Sequence, residues 1–182
     1  MNTETRYCKA LIRNLNEAGR AILERRAMVG LEKANTYHDM DFIRLAYDAL
    51  FNDMIGHAIK LFEDTSRVAS FWYIKRCKGK EISDFVNKNN IDLGKIDTIR
   101  DSLKHIRNKT HFHIDRDAVK NAKHIWKQAK ITGRQLADAI DCAWMVLDYL
   151  YALETGQKFS MPEYDGSDAT RIAKYAEENR NL

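Results

Sequence analysis

The sequence has few of the residues that interrupt or cross-link a chain. One proline (Pro162) and eight glycines are spread over 182 residues, which favours long helices over many short strands. The three cysteines, Cys8, Cys77 and Cys142, form no Cys-x-x-Cys pair. Because their number is odd and their spacing wide, we expect no disulfide framework and no zinc cluster, and a reducing, cytoplasmic setting.

Long apolar runs are also missing. No stretch approaches the roughly 20 apolar residues that a membrane-spanning helix needs. Residues 1–6 lead into an amphipathic pattern rather than an apolar signal core, so we expect neither a secretory leader nor a membrane contact. The chain is 45% hydrophobic and 31% charged, which is typical of a globular domain large enough to bury a core.

What the sequence does contain is helical periodicity. The clearest stripe is Ile96, Ile99, Leu103 and Ile106, which fall on one face of a helix. The string from Thr132 to Gln135 predicts a capping box that opens a strongly apolar helix ending at Gly156. We predict an all-α fold of four to six main helices over residues 1–156, followed by a loop and a peripheral helix over 157–182.

Positive charge is concentrated in one segment. Residues 100–124 hold seven basic and three acidic residues, an excess equal to the net charge of +4 of the whole chain. Such a patch attracts polyanions, RNA included, although a solvated helix face would have the same composition. The candidate RNA-binding residues are Arg100, Lys104, Lys109, Arg116 and Lys120.

The same segment contains residues suited to cleaving RNA without a metal ion. Histidine can move protons near neutral pH, and arginine can donate two hydrogen bonds to the charged phosphorane. The candidate catalytic residues are Arg107, Asn108, His111 and His113. One histidine cannot conveniently take the proton of the 2′-OH and also give a proton to the leaving 5′-oxygen on the opposite side. A second histidine is therefore expected from this chain or from a symmetric partner subunit.

The string Arg107-Asn108-Lys109-Thr110-His111-Phe112-His113 resembles the Arg-x(4–6)-His signature of HEPN domains (higher eukaryotes and prokaryotes nucleotide-binding). The Ile114-Asp115 that follows it and the Trp-containing helix after Asp64-Thr65-Ser66 resemble the abortive-infection branch of that family. The resemblance covers about residues 1–155.

The resemblance implies an up-and-down helical bundle that acts as a ribonuclease with no metal ion or other cofactor. It implies Arg107 and His113 as catalytic residues, Asn108 as a supporting residue, and a homodimer whose two motifs meet at the interface. It also implies a role in phage defence or as a toxin with an antitoxin partner. The tyrosine that some HEPN toxins carry two positions after the histidine is Asp115 here.

The choice of histidine depends on where the helix ends. On a continuous helix Arg107 and His111 are neighbours, whereas His113 lies about 240° from Arg107 around the axis. His113 can approach Arg107 only if the helix ends near Thr110. A second string, Arg100-x4-His105, fits the signature formally but is expected to lie mid-helix with its ends facing apart.

Other functions fit the same residues. The basic segment could serve a non-catalytic module that binds nucleic acid or protein, and the last helix could be the contact of a purely protein-binding bundle. His57 and Asp53, on the predicted second helix, could approach the site or be ordinary surface or capped polar residues.

Overall fold

The computed structural model describes residues 3–34, 39–111 and 122–179. Within these ranges all regular elements are helical and none is a β-strand, which confirms the all-α prediction. A π-helical turn, Arg107–His111, directly follows the fifth α-helix. The α-helices are α1 (Thr3–Leu31), α2 (Asp41–Phe62), α3 (Phe71–Cys77), α4 (Gly79–Asn89), α5 (Gly94–Ile106), α6 (Ala122–Ala129), α7 (Gly133–Thr155) and α8 (Ser167–Glu178).

Long helices build the main core of this bundle. Helix α1 packs against α2 and α7, and α7 also packs against α5. The apolar face predicted for α5 is fully buried, as expected for residues at helical spacing. Large side chains of the core with almost no exposure include Leu11, Leu15, Ile55, Leu61, Ile74, Ile99, Leu136 and Ile140.

The loop between α2 and α3 is tied to the core by buried hydrogen bonds. The Trp72 indole N–H donates to the Phe62 carbonyl over 2.9 Å, and the Asn14 amide donates to the Ala69 carbonyl over 2.7 Å. A buried donor that lost such a partner would cost stability, so both bonds restrict where the loop can lie. The first residues of this loop, 63–65, line a cavity together with residues of α5.

The ends of α7 follow the sequence signals. Thr132 and Gln135 form the predicted capping box, with the Gln135 N–H donating to the Thr132 hydroxyl over 3.2 Å. Gly156 adopts a left-handed conformation with φ of 75° and ends the helix, as glycine readily does.

The end of α5 differs from expectation. The α-helix stops at Ile106, and the chain continues to His111 with π-helical bonding, in which each N–H reaches back five residues rather than four. At the junction the Arg107 N–H lies between the carbonyls of Leu103 and Lys104 and bonds to both. The spacing of apolar residues along the sequence does not predict this change from α-helical to π-helical hydrogen bonding.

Helix α4 begins at Gly79 and ends at Asn89, where Asn90 adopts a left-handed conformation. Helix α6 is described from Ala122 onward.

Helix α8 packs on the end of α1 around a second, smaller apolar cluster that contains Leu31, Ile43, Ala169 and Ala173. The approach is close, because a Cβ at Gly30 would overlap with the Gly166 carbonyl. None of the described helices is both long and apolar enough to cross a lipid bilayer.

Candidate functional site

A row of basic side chains runs along α5 and into the π turn. Arg100, Lys104 and Arg107 recur at helical spacing, one position after the buried apolar face. The apolar face is anchored in the core, so the basic row is turned to the edge of the bundle. This arrangement agrees with the spacing seen in the sequence.

The basic row borders a cavity of about 300 Å³. The opposite wall comes from the end of α2 and the loop that follows it. The cavity is large enough for a phosphate group with part of a sugar, but much of its surface is polar and charged. Its lining residues are Ile59, Phe62, Glu63, Asp64, Thr65, Arg100, Asp101, Leu103, Lys104 and Arg107.

Arg107 is held by a carboxylate. Its Nη1 donates to Glu63 Oε1 over 2.5 Å, and both side chains are partly buried, with exposures of 33% and 21%. A charge-assisted hydrogen bond of this kind fixes the direction of a guanidinium. The guanidinium has five N–H donors, so a bond through one nitrogen leaves it able to bind a phosphate as well.

Arg100 is held from several sides. Its guanidinium carbon lies 5.6 Å from the centre of the Trp72 ring, a cation–π distance. Its nitrogens lie 3.7 Å from an Asp64 oxygen and 3.8 Å from an Asp101 oxygen. Asp64 also lies 3.6 Å from Arg76, so this wall of the cavity mixes both signs of charge.

The other candidates fall in different places. Lys104 and Asn108 are exposed, Lys109 is half-buried, and His111 ends the π turn, where its backbone alone is described. His113, Arg116 and Lys120 lie outside the described residues. The structure therefore brings together Arg100, Lys104 and Arg107.

The competing string Arg100-x4-His105 lies within α5, as expected. Five residues along an α-helix correspond to about 140° around its axis, so the two side chains leave the helix in different directions. The His105 Nε2 is buried without a hydrogen-bond partner in the part of the chain that the structure describes, and His105 is not among the residues that line the cavity.

Glu63 and Asp64 line the cavity, and the sequence alone did not identify them as site residues. They follow α2 directly, and Glu63 precedes its partner Arg107 by 44 positions. The only local signal was the cluster Asp64-Thr65-Ser66, which resembles a helix cap. Pairing across such a distance depends on the packing of α2 against α5, which periodicity does not specify.

No protein-family model, curated protein or solved structure matches this chain.

Proposed function

We propose that this chain is a HEPN-type endoribonuclease that cleaves RNA without a metal ion. The observation that carries the proposal is the convergence of Arg100, Lys104 and Arg107 around one cavity, immediately before the sequence that contains His111 and His113. The cavity also contains Glu63, Asp64 and Asp101, so its charge is balanced, but a guanidinium held in place beside it is suited to bind a phosphodiester and to stabilise its charge.

The reaction would be a transesterification. The ribose 2′-oxygen loses its proton and attacks the neighbouring phosphorus, while the 5′-oxygen leaves and gains a proton. The products are a 2′,3′-cyclic phosphate and a 5′-hydroxyl. Arg107, oriented by Glu63, would stabilise the phosphorane, and His113 or His111 would transfer the protons.

The resemblance to HEPN domains supports further parts of the proposal. The chain would act as a homodimer in which each copy of the segment 107–113 faces the other. Its biological role would be in phage defence or as the toxin of a toxin–antitoxin pair, with the antitoxin as a protein partner. Asn108, Lys109, Arg116 and Lys120 would contact the RNA around the reacting phosphate.

The test compares a labelled RNA with the DNA of matching sequence, both in excess EDTA. We expect cleavage of the RNA alone. Arg107→Ala and His113→Ala should each lower the rate by at least about 100-fold, the contribution typical of a positioned proton-transfer or charge-stabilising group. Cleavage of the DNA, or a strict requirement for a metal ion, would contradict the proposal.

Arg25→Ala is a matched control. Arg25 also binds a carboxylate through its guanidinium, since two of its nitrogens lie 3.0 and 2.9 Å from the oxygens of Asp141, and it does not line the cavity. It should lose a similar amount of folding stability while cleaving RNA at the wild-type rate.

A non-catalytic nucleic-acid-binding module is the second candidate. The ion pair between Arg107 and Glu63 favours it, because a paired arginine can serve as part of a binding surface without taking part in chemistry. This function predicts that the RNA is bound but not cleaved, that salt weakens binding steeply, and that Lys104→Ala lowers affinity whereas His113→Ala does not.

A further inference from the structure

A cluster of ionisable side chains interrupts the apolar contact between α1 and α2. At its centre is His57, whose side chain is only 3% exposed. Glu17 and Glu24 approach it from α1, and Asp53 approaches it from one turn earlier in α2. None of the four lines the cavity beside Arg107, so the cluster belongs to a different part of the molecule.

The imidazole ring is oriented by Glu17. The His57 Nδ1 lies 2.5 Å from Glu17 Oε2, so Nδ1 donates its proton to that carboxylate. The hydrogen bond to Glu24, opposed by burial and supported by the bond to Glu17, raises the pKa of His57 above its ordinary value, so the ring also donates from Nε2. An ion bound at Nε2 would displace that proton and leave the bond from Nδ1 to Glu17 in place. A carboxylate that binds one nitrogen of a histidine while the other nitrogen binds a metal ion is a recurrent arrangement in metalloproteins.

The Nε2 atom faces two further carboxylates. It lies 3.3 Å from Glu24 Oε1 and 3.8 Å from Asp53 Oδ2. One ligand atom from each of Glu24, Asp53 and His57 falls within 4.8 Å of the other two. Ligands at the bond lengths of about 2.0–2.1 Å usual for Zn²⁺ are about 3.3 Å apart in a tetrahedron. The His57–Glu24 pair already has this spacing, and the exposed Asp53 side chain would have to move inward to complete the set.

A second observation concerns the other oxygen of Glu24. Glu24 Oε2 is buried and has no hydrogen-bond partner within the ranges that the structure describes. Burial, opposed by the hydrogen bond from His57, raises the pKa of Glu24 above its ordinary value, and repulsion from Asp53 adds to the rise. An ion at this point would remove both the repulsion and the missing contact.

The charges also favour a divalent cation. A nearby cation is Lys60, whose Nζ lies 3.4 Å from Glu17 Oε2. Three carboxylates, this ammonium and the protonated imidazole leave a net charge of one negative unit. A divalent ion that displaces the Nε2 proton would bring the cluster to neutrality, and partly buried carboxylates require such compensation.

We propose that Glu24, Asp53 and His57 bind one divalent transition-metal ion, of which Zn²⁺ is the best fit to a nitrogen and two oxygen ligands. Glu17 is a positioning residue, held in place by Lys60. Asp53, with a side chain 70% exposed, gives the ion access to solvent, so a fourth ligand can be water. The ion would link α1 to α2 as a structural clamp, separate from the metal-independent cleavage of RNA.

The experiment uses the full chain after treatment with EDTA and dialysis against metal-free buffer. Zn²⁺ is titrated calorimetrically, and bound metal is counted by elemental analysis. We expect one Zn²⁺ per chain and a higher midpoint of thermal unfolding, since a ligand that binds the folded state alone stabilises it. Co²⁺ should give the visible absorption of a tetrahedral site.

The variants are chosen so that they fold. Asp53→Asn changes an exposed side chain and should abolish stoichiometric binding and the Co²⁺ bands. Glu17→Gln should weaken binding by about 10- to 100-fold, as loss of an outer carboxylate typically does. Asp48→Asn, at an exposed aspartate of the same helix, is the control and should bind Zn²⁺ as the wild type does.

Absence of stoichiometric Zn²⁺ binding by the wild-type chain would overturn the proposal. Binding that survives in Asp53→Asn and in Glu24→Gln would overturn it too, because the ion would then lie at other histidines of the chain. Circular dichroism of each variant verifies that the helical content is unchanged. Neither outcome bears on the cleavage of RNA, which is measured in EDTA.

Discussion

At the scale of single residues, Tyr7 carries a hydroxyl in an unfavourable place. The side chain is 4% exposed, and its oxygen has no hydrogen-bond partner among the described atoms. The Lys78 ammonium lies 5.1 Å from the ring centre, a contact that a phenylalanine would keep. The hydroxyl therefore costs desolvation without a compensating bond.

We expect Tyr7→Phe to raise the free energy of unfolding by about 1 kcal/mol, since it removes a buried polar atom that is not satisfied. Urea unfolding followed by circular dichroism measures the change. Tyr47→Phe is the control, because the Tyr47 hydroxyl donates to Glu32 over 2.6 Å. Removal of this bonded hydroxyl should not raise the free energy of unfolding. A Tyr7→Phe variant less stable than the wild type would show that the hydroxyl has a partner.

The same substitution should change the response to alkaline pH. Burial is the main cause that raises the pKa of Tyr7 above its ordinary value of 10.0. The folded state then keeps a proton that the unfolded chain loses. Titration of Tyr7 therefore leaves stability unchanged below about pH 10 and lowers it as the pH rises further. Stability of Tyr7→Phe should therefore fall less steeply than that of the wild type above pH 10.

At the scale of helices and their ends, the capping box of α7 shows how local chemistry starts a core helix. The Thr132 N–H donates to the Gln135 side chain over 2.9 Å, and the Thr132 hydroxyl accepts from the Gln135 N–H. These bonds satisfy groups that the first turn of a helix leaves without partners.

Thr132→Ala should lower the free energy of unfolding by about 1 kcal/mol, the usual loss for an N-cap side chain. Thr98→Ala is the matched control. Its hydroxyl donates to the carbonyl of Gly94, four residues earlier in α5, and alanine is the better helix former at such a position. Thermal unfolding of the two variants should move in opposite directions; equal losses would contradict a specific role of the cap.

The elements differ in how far the sequence specified them. The capping box and the buried face of α5 were predicted correctly because both depend on residues within a few positions of each other. The helical spacing of the basic row can be read from the sequence for the same reason, whereas the cavity beside it cannot. The contacts of Arg107 with Glu63 and of His57 with Glu17 were not predicted, since each joins helices whose pairing depends on the whole core. His57 was considered only as a neighbour of the RNA site or a capped polar residue.

At the scale of the whole molecule, one close backbone contact joins the C-terminal helix to the bundle. Gly30 near the end of α1 lies against the carbonyl of Gly166, which precedes α8, and a Cβ at position 30 would also come within 3.0 Å of the Ala169 Cβ. The backbone of Gly166 cannot yield without moving α8.

We expect Gly30→Ala to displace α8 and to lower the free energy of unfolding by about 1–3 kcal/mol, the range usual for an overpacked site. Limited proteolysis of the loop 157–166 should be faster than in the wild type. Gly56→Ala is the control, because a Cβ there meets no described atom within 4 Å and alanine favours the helix by about 0.5–1 kcal/mol. Equal stability of the two variants would show that α8 does not depend on this contact.

The π turn at Arg107–His111 has a consequence for comparisons between sequences. A π-helical turn accommodates one residue more than the α-helical turn it replaces, so it is equivalent to a single-residue insertion. A relative without the turn would align with this chain only through a one-residue gap after Ile106. Any signature defined by a fixed number of residues between the arginine and the histidine would then miss one of the two proteins, even if both place the same atoms around the same phosphate.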